Sequence, residues 1–169
     1  MTEGQADNSH VMDKFSKEYD QIFSYTIESY WLEEQTYHIF GFDGREWKLI
    51  KWTVKFDNNG QVVKERLKTK SFSSRKLLEM LSFFEANKFW TLDQDSLNLD
   101  ERDHGDGSSM VWMIDDGSND KFETYNNGIY RITSSYEAKR LQELVPTKQR
   151  EIFIKCKDKF WKIANRKSG

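Results

Sequence analysis

The densest chemistry-bearing stretch of this chain is acidic. Between residues 93 and 120, nine carboxylates (Asp93, Asp95, Asp100, Glu101, Asp103, Asp106, Asp115, Asp116 and Asp120) stand against one base, Arg102, for a local charge of -8. Oxygen ligands at this density could hold a hard cation such as calcium, or attract a basic partner. The spacing argues against the first use. A calcium loop of the EF-hand kind runs D-x-[DN]-x-[DN]-G with a later Glu. Here Asp93-x-Asp95 leads to Leu97, and no Gly stands at the turn position. No metal or other cofactor is therefore assigned. Asp100, Glu101, Asp103 and Asp106 are instead the expected recognition carboxylates for a protein partner.

The other reactive side chains are scattered. His10, His38 and His104 lie far apart and from Cys156, at no spacing that ligates zinc. His104 sits among carboxylates, which favour its protonated form. Cys156 falls on the apolar side of a helical pattern, where a free thiol serves as a small core residue. G-x-S-x-G, G-x-x-x-x-G-K-[ST] and G-x-G-x-x-G are all missing, and Gly105-Asp106-Gly107 runs on into Ser108-Ser109-Met110, not into a phosphate loop. No catalytic residue is assigned.

A second charged segment balances the first. From residue 147 to 169, eight bases oppose Glu151 and Asp158, for +6, within a chain whose net charge is -2. Lys155, Lys159, Lys162 and Arg166 fall at spacings of four, three and four, one stripe of a helix. Nucleic-acid binders are usually basic overall. With a pI near 6.0, a nucleic acid would meet the acidic stretch as well, so it is not the expected partner. There are six Trp. Four fit core faces; Trp47 and Trp161 fall off the expected apolar faces and join the candidate partner site, since aromatic residues are enriched at binding surfaces.

These groups need a scaffold, and its clearest unit runs from Glu46 to Trp90. Ile50, Trp52, Val54 and Phe56 alternate with Lys51, Thr53 and Lys55, which predicts a strand. Asp57-Asn58-Asn59-Gly60 is a turn. Gln61–Lys70 returns, with enough charge for an edge strand. Ser73 then caps a helix carrying Leu77, Leu78, Leu81 and Phe84, expected to pack on the Ile50/Trp52/Val54 face and to stop at Asn87. Upstream, 36–42 predicts a strand that turns at Asp43-Gly44. The run 13–33 fits a helical stripe and a strand alternation, and its length favours helix.

Downstream, 91–107 predicts an acidic loop. Residues 108–114 and 121–125 predict a hairpin, and Ile129–Ile132 a short extended piece. Ser134 to Glu137 has the form of a capping box for a helix ended by Pro146. A last helix spans about 147–164, with Ile152, Phe153, Cys156, Phe160 and Ile163 on its apolar side.

The expected fold is α+β: an antiparallel sheet of about five strands, a three-stranded meander plus a hairpin, with helices on one face. A disordered tail at 1–11 precedes a single domain at 12–169. No apolar run spans a bilayer and the first residues lack a leader pattern, so the chain reads as cytoplasmic, with no membrane partner. The leading functional expectation is a non-catalytic binding or regulatory module that meets a protein through a charged surface, as an inhibitor or immunity-type protein does. The alternative is an enzyme or small-ligand binder with a pocket between helices and sheet.

Overall fold

The computed structural model of the chain describes residues 9–29, 31–103 and 105–165. His104, Arg166 and most of the expected tail lie outside them. The chain is α+β, with a six-stranded antiparallel sheet and a separate two-stranded ladder. In chain order come α1 (His10–Phe15), β1 (Gln21–Ser29), β2 (Gln35–Phe42), β3 (Trp47–Phe56), β4 (Val62–Phe72) and α2 (Ser74–Ala86). A 3-10 turn (Phe89–Thr91) leads to α3 (Gln94–Leu97) and the small ladder of β5 (Glu101–Asp103) and β6 (Ser109–Val111). β7 (Ser118–Asn126), β8 (Ile129–Tyr136), α4 (Ala138–Leu144) and α5 (Lys148–Ala164) complete the chain.

The main sheet runs β4-β3-β2-β1-β7-β8. Its first four strands are a meander whose turns follow the local chemistry. Gly60, at φ +76°, takes the left-handed conformation, and the Asp57 carboxylate accepts from the Asn59 and Gln61 N–H groups at 2.9 and 2.8 Å. β4 is an edge strand with nearly all its side chains in water, as its charge implies.

Both sheet faces are covered. On one face, Phe23, Tyr25, Phe40, Leu49 and Phe122 meet α2, the 3-10 turn and α5. On the other, Ile22, Tyr37, Ile39, Ile50, Trp52 and Val54 lie under Val11, Met12, Phe15 and Tyr19. This corrects two expectations. α2 packs on the Leu49 face, because the N-terminal segment already occupies the Ile50/Trp52/Val54 face. And the favoured long helix over 13–33 is a short helix followed by a strand. β1 pairs with β2 on one side and β7 on the other. With both faces buried its apolar residues run on without clean alternation. Residues 9–11, expected in the tail, belong to the fold: Ser9 caps α1 by accepting from the Met12 N–H at 3.2 Å, and Val11 is fully buried.

Two further expectations fail. Residues 109–111 pair with 101–103, and 118–126 pairs with β1 and β8, so the expected 108–125 hairpin does not form. Ser134 and Ser135 belong to β8 and do not cap α4, which starts after Glu137 in the left-handed conformation. Their ladder with Lys121 and Asp120 outcompetes the local capping pattern. α5 falls where the sequence reading puts the last helix, and Thr147 caps it, with Oγ1 accepting from the Arg150 N–H at 3.1 Å.

Buried charges tie helices to sheet. Asp120 on β7 pairs with Lys157 of α5 at 2.5 Å and accepts from the Tyr25 hydroxyl. Glu123, on the opposite face, accepts from the Ser9 hydroxyl and from Tyr130 Oη at 2.6 Å, and pairs with Lys121 at 3.1 Å. That carboxylate thus anchors the N-terminal segment over its own core.

Phe84 is the test of the helix face. It is fully buried, with ring centroids 5.3 Å from Phe23, 4.7 Å from Phe89 and 5.8 Å from Phe122. Phe84→Ala should cost about 3–5 kcal/mol in urea unfolding, the usual range for emptying a buried aromatic site. A cost under about 1 kcal/mol would mean that the surroundings collapse into the space.

Candidate functional site: an acidic groove beside the small ladder

The expected acidic loop is built around Arg150. This side chain, at the start of α5, is completely buried. It donates from Nε to the Leu97 carbonyl at 2.9 Å, from Nη2 to the Leu99 carbonyl at 2.5 Å and from Nη1 to the Val145 carbonyl. Burial lowers its pKa, and the nearby Asp100 carboxylate works in the opposite direction. A guanidinium is always charged and carries five fixed N–H donors. It can therefore satisfy three carbonyls from two segments at once, where a lysine would reach fewer.

α3 is fixed to the sheet by two side-chain amides. Gln94 both donates to the Ser134 carbonyl and accepts from the Ser134 N–H, at 2.5 and 3.1 Å. Asn98 Oδ1 accepts from the Tyr136 N–H at 2.8 Å. β8 is an edge strand, and these amides occupy ladder positions that a further strand would fill. Asp93 caps α3, accepting from the Ser96 N–H at 2.9 Å.

Tyr136 then sets the segment after β6. Its hydroxyl donates to the Ile114 carbonyl at 2.7 Å and accepts from the Gly117 N–H at 2.8 Å. A side chain on Gly117 would stand 2.5 Å from that oxygen and from Glu137 Cγ, so the approach requires glycine. The Trp112 N–H donates to the Asp100 carbonyl at 2.9 Å.

The result is a groove of about 420 Å³, lined by Asn98, Asp100, Trp112, Met113, Asp115 and Leu141 among others. Its outer wall is apolar and wet. Met113 is 87% exposed, and Leu99, Met110 and Val111 are exposed beside it. Two carboxylates, Asp100 and Asp115, share a groove with an indole and a thioether. Such a lining suits a Lys or Arg side chain, whose alkyl stem lies on apolar surface while its cation meets carboxylate or ring.

The expected site residues divide. Asp100 lines the groove, while Glu101 is exposed on β5 next to it. Asp103 ends β5 opposite Ser109. Asp106 is exposed and accepts from the Ser108 hydroxyl at 2.5 Å and from the Ser108 N–H at 2.9 Å, which together lower its pKa. Trp47 and Trp161 are elsewhere. Trp47 is half-buried against the α2 side of the sheet, since the face opposite Ile50 is itself a core face. Trp161 is half-buried, edge-on to His38 at 4.6 Å and to Tyr25 at 5.3 Å. The sequence reading missed Trp112, Met113 and Asp115 as groove residues. Their signal was Met110, Trp112 and Ile114 in a run that no helix covers.

Two of the basic stripe's three described residues are paired: Lys155 with Glu151 at 2.5 Å and Lys159 with Glu79 at 2.7 Å. Burial pushes the Cys156 thiol up to about 12, so it stays protonated in the core. Among the described residues no group of three or more His, Cys, Asp or Glu side chains could hold a metal ion, and no helix is long and apolar enough to cross a membrane.

Replacing Arg150 by Leu should cost at least about 3 kcal/mol, because three carbonyls lose their donor at about 1–3 kcal/mol for each that stays dry. Urea unfolding gives the cost, and amide exchange over 97–103 should quicken most. A loss under about 1 kcal/mol would mean that water replaces the guanidinium. Compared with models of known protein families and with the sequences of characterised proteins, the chain matches none.

Proposed function

We propose that this protein is a binding module that docks a basic segment of a protein partner in the groove between β6 and α4. One observation carries the reading: an exposed apolar strip, Met110 to Met113, runs directly beside Asp100, Glu101 and Asp115. Exposed Met and Trp rimmed by charge mark interaction surfaces, and Met adapts its shape to what it meets. The carboxylates supply steering and select the sign of the partner, and the apolar strip supplies area. A blocking module of the inhibitor or immunity type works in this way. The reading assigns no chemistry to the groove.

A second reading has its own observation. A pocket of about 320 Å³ opens between α2 and the sheet, lined by Phe23, Trp47, Leu81 and Trp90, with Gln21, Thr124 and Asn126 at its polar side. That is the size and lining of a small-ligand site. Two indoles in one wall suit a flat apolar body. If this pocket is the functional one, a fragment screen followed by NMR should place saturable ligands at Trp47 and Trp90, and Trp47→Ala should abolish those shifts. Hits spread over the surface would dismiss it.

The groove is tested with a labelled octapeptide alternating Lys and Leu. Asp100→Asn with Asp115→Asn should weaken its binding about tenfold, a 1.4 kcal/mol step. Asp115→Asn alone, at an exposed position away from the Arg150 guanidinium, should weaken binding in the same direction and leave the melting temperature within about two degrees, since exposed charges contribute little stability. Wild-type binding should fall steeply as salt rises past about 0.1 M, where the Debye length shrinks to about 10 Å. Equal affinity of the double variant and the wild type would sink the proposal. Millimolar calcium should leave the melting temperature unchanged; a calcium-dependent rise that the double variant lacks would replace the partner reading with a metal site.

A further inference from the structure

At the other end of α5 the charge is reversed. Arg150 to Ala164 is fifteen residues of helix, about 22 Å at 1.5 Å per residue. Around Asn165 lies a pocket of about 310 Å³, lined by His38, Leu49, Lys51, Lys68, Lys70 and Ala164 among others. The sheet register brings the bases together. His38 on β2 lies opposite Lys51 on β3, and Lys51 opposite Lys68 on β4. Lys70 is the next residue of β4 on the same face, opposite Leu49.

Like charges directly opposite on neighbouring strands destabilise a sheet. Farther along the same edge strand the bases are paired: Lys64 and Arg66 both reach Glu34, at 3.5 and 2.5 Å. Lys51, Lys68 and Lys70 have no ion pair among the described residues. The negative end of the α5 dipole is nearby, but it amounts to about half a charge, against three ammonium groups. His38 is only 7% exposed, yet its Nδ1 has no hydrogen-bond partner among the described residues. Buried ring nitrogens ordinarily find one. Burial, and then Lys51, lower its pKa to about 4, so it presents a neutral ring at pH 7. The floor is apolar: Leu49 and Ala164 are buried, and Trp161 stands edge-on to the His38 ring.

We propose that this pocket binds a small phosphorylated molecule, its phosphate groups held by Lys51, Lys68 and Lys70 and its less polar body resting against His38 and Leu49. Phosphate brings the opposite charge that this row lacks. The volume suits a molecule of metabolite size, and the wall ends at an exposed edge strand, which leaves an open entry. The site is independent of the acidic groove, and either can fail without the other.

The test titrates wild-type protein with pyrophosphate and with ATP at constant ionic strength, read by calorimetry and by the NMR signals of His38 and Asn165. The expected result is saturable binding that shifts both residues and raises the melting temperature by mass action. Lys51→Gln with Lys68→Gln should weaken binding at least tenfold, while the ligand-free variant melts no lower than wild type because the repulsion is relieved. Binding that sulfate displaces equally well, affinity unchanged in the double variant, or shifts away from His38 would each overturn the proposal. So would tighter binding of a single-stranded RNA oligonucleotide that also depends on Lys64 and Arg66, since that would make the edge strand a nucleic-acid surface.

Discussion

The double burial of β1 is the constraint on which the rest of this structure depends. The strand is hydrogen-bonded on both sides and has no wet face along its first six residues. Each face therefore needs its own cover. The helices α2 and α5 supply one, and the N-terminal segment from Ser9 to Tyr19 supplies the other. One cover comes from distant parts of the chain and the other from the segment just before β1, and β7 reaches β1 only after the chain has crossed α2, α3 and the small ladder.

Polar groups inside such a structure must be satisfied locally, and three buried charged sites show how. Asp120 and Lys157 neutralise each other between sheet and helix. Glu123 gathers two hydroxyls and a lysine. Arg150 takes carbonyls instead of a carboxylate. Buried pairs contribute less to net stability than to fixing one arrangement, because losing one partner strands the other. Here the arrangement fixed is the docking of α5, the N-terminal cover and the ladder. Arg150 has a second consequence. By holding the carbonyls of Leu97 and Leu99 it leaves the Asp100 carboxylate free to face the groove.

α5 then carries an electrical axis through the molecule. Its first turn, through Arg150, holds the carbonyls on either side of Asn98 in the segment that carries Asp100, and its last turn borders the lysine pocket. The charge segregation visible along the chain becomes a separation in space, although not by the expected route. Four of the helix's five lysines, Lys148, Lys155, Lys157 and Lys159, are paired with Glu151, Asp120 or Glu79. The basic end comes from β3 and β4. The two surfaces of opposite sign lie apart and share no lining residue.

By itself the sequence determined the α+β class, the meander from β2 to β4, the start and stop of α2, and the apolar side of α5. These rest on short-range physics: alternation, positive-φ turn residues and helical period; the Ser73 side chain stands at the start of α2 but makes no capping hydrogen bond. It also located the acidic stretch and Asp100 within it. Tertiary structure decided what local pattern could not. β1 was ambiguous because a strand buried on both faces loses its alternation. Ser134 and Ser135 form part of β8 because strand pairing and the Gln94 amide offered their backbone better partners than a helix cap. Trp47 reads as a surface residue only while one face of β3 is taken as wet. The groove joins residues from 98 to 141, and the lysine pocket joins residues from 38 to 165. Both are products of strand register and helix docking, and no spacing along the chain encodes which distant residues those contacts bring together.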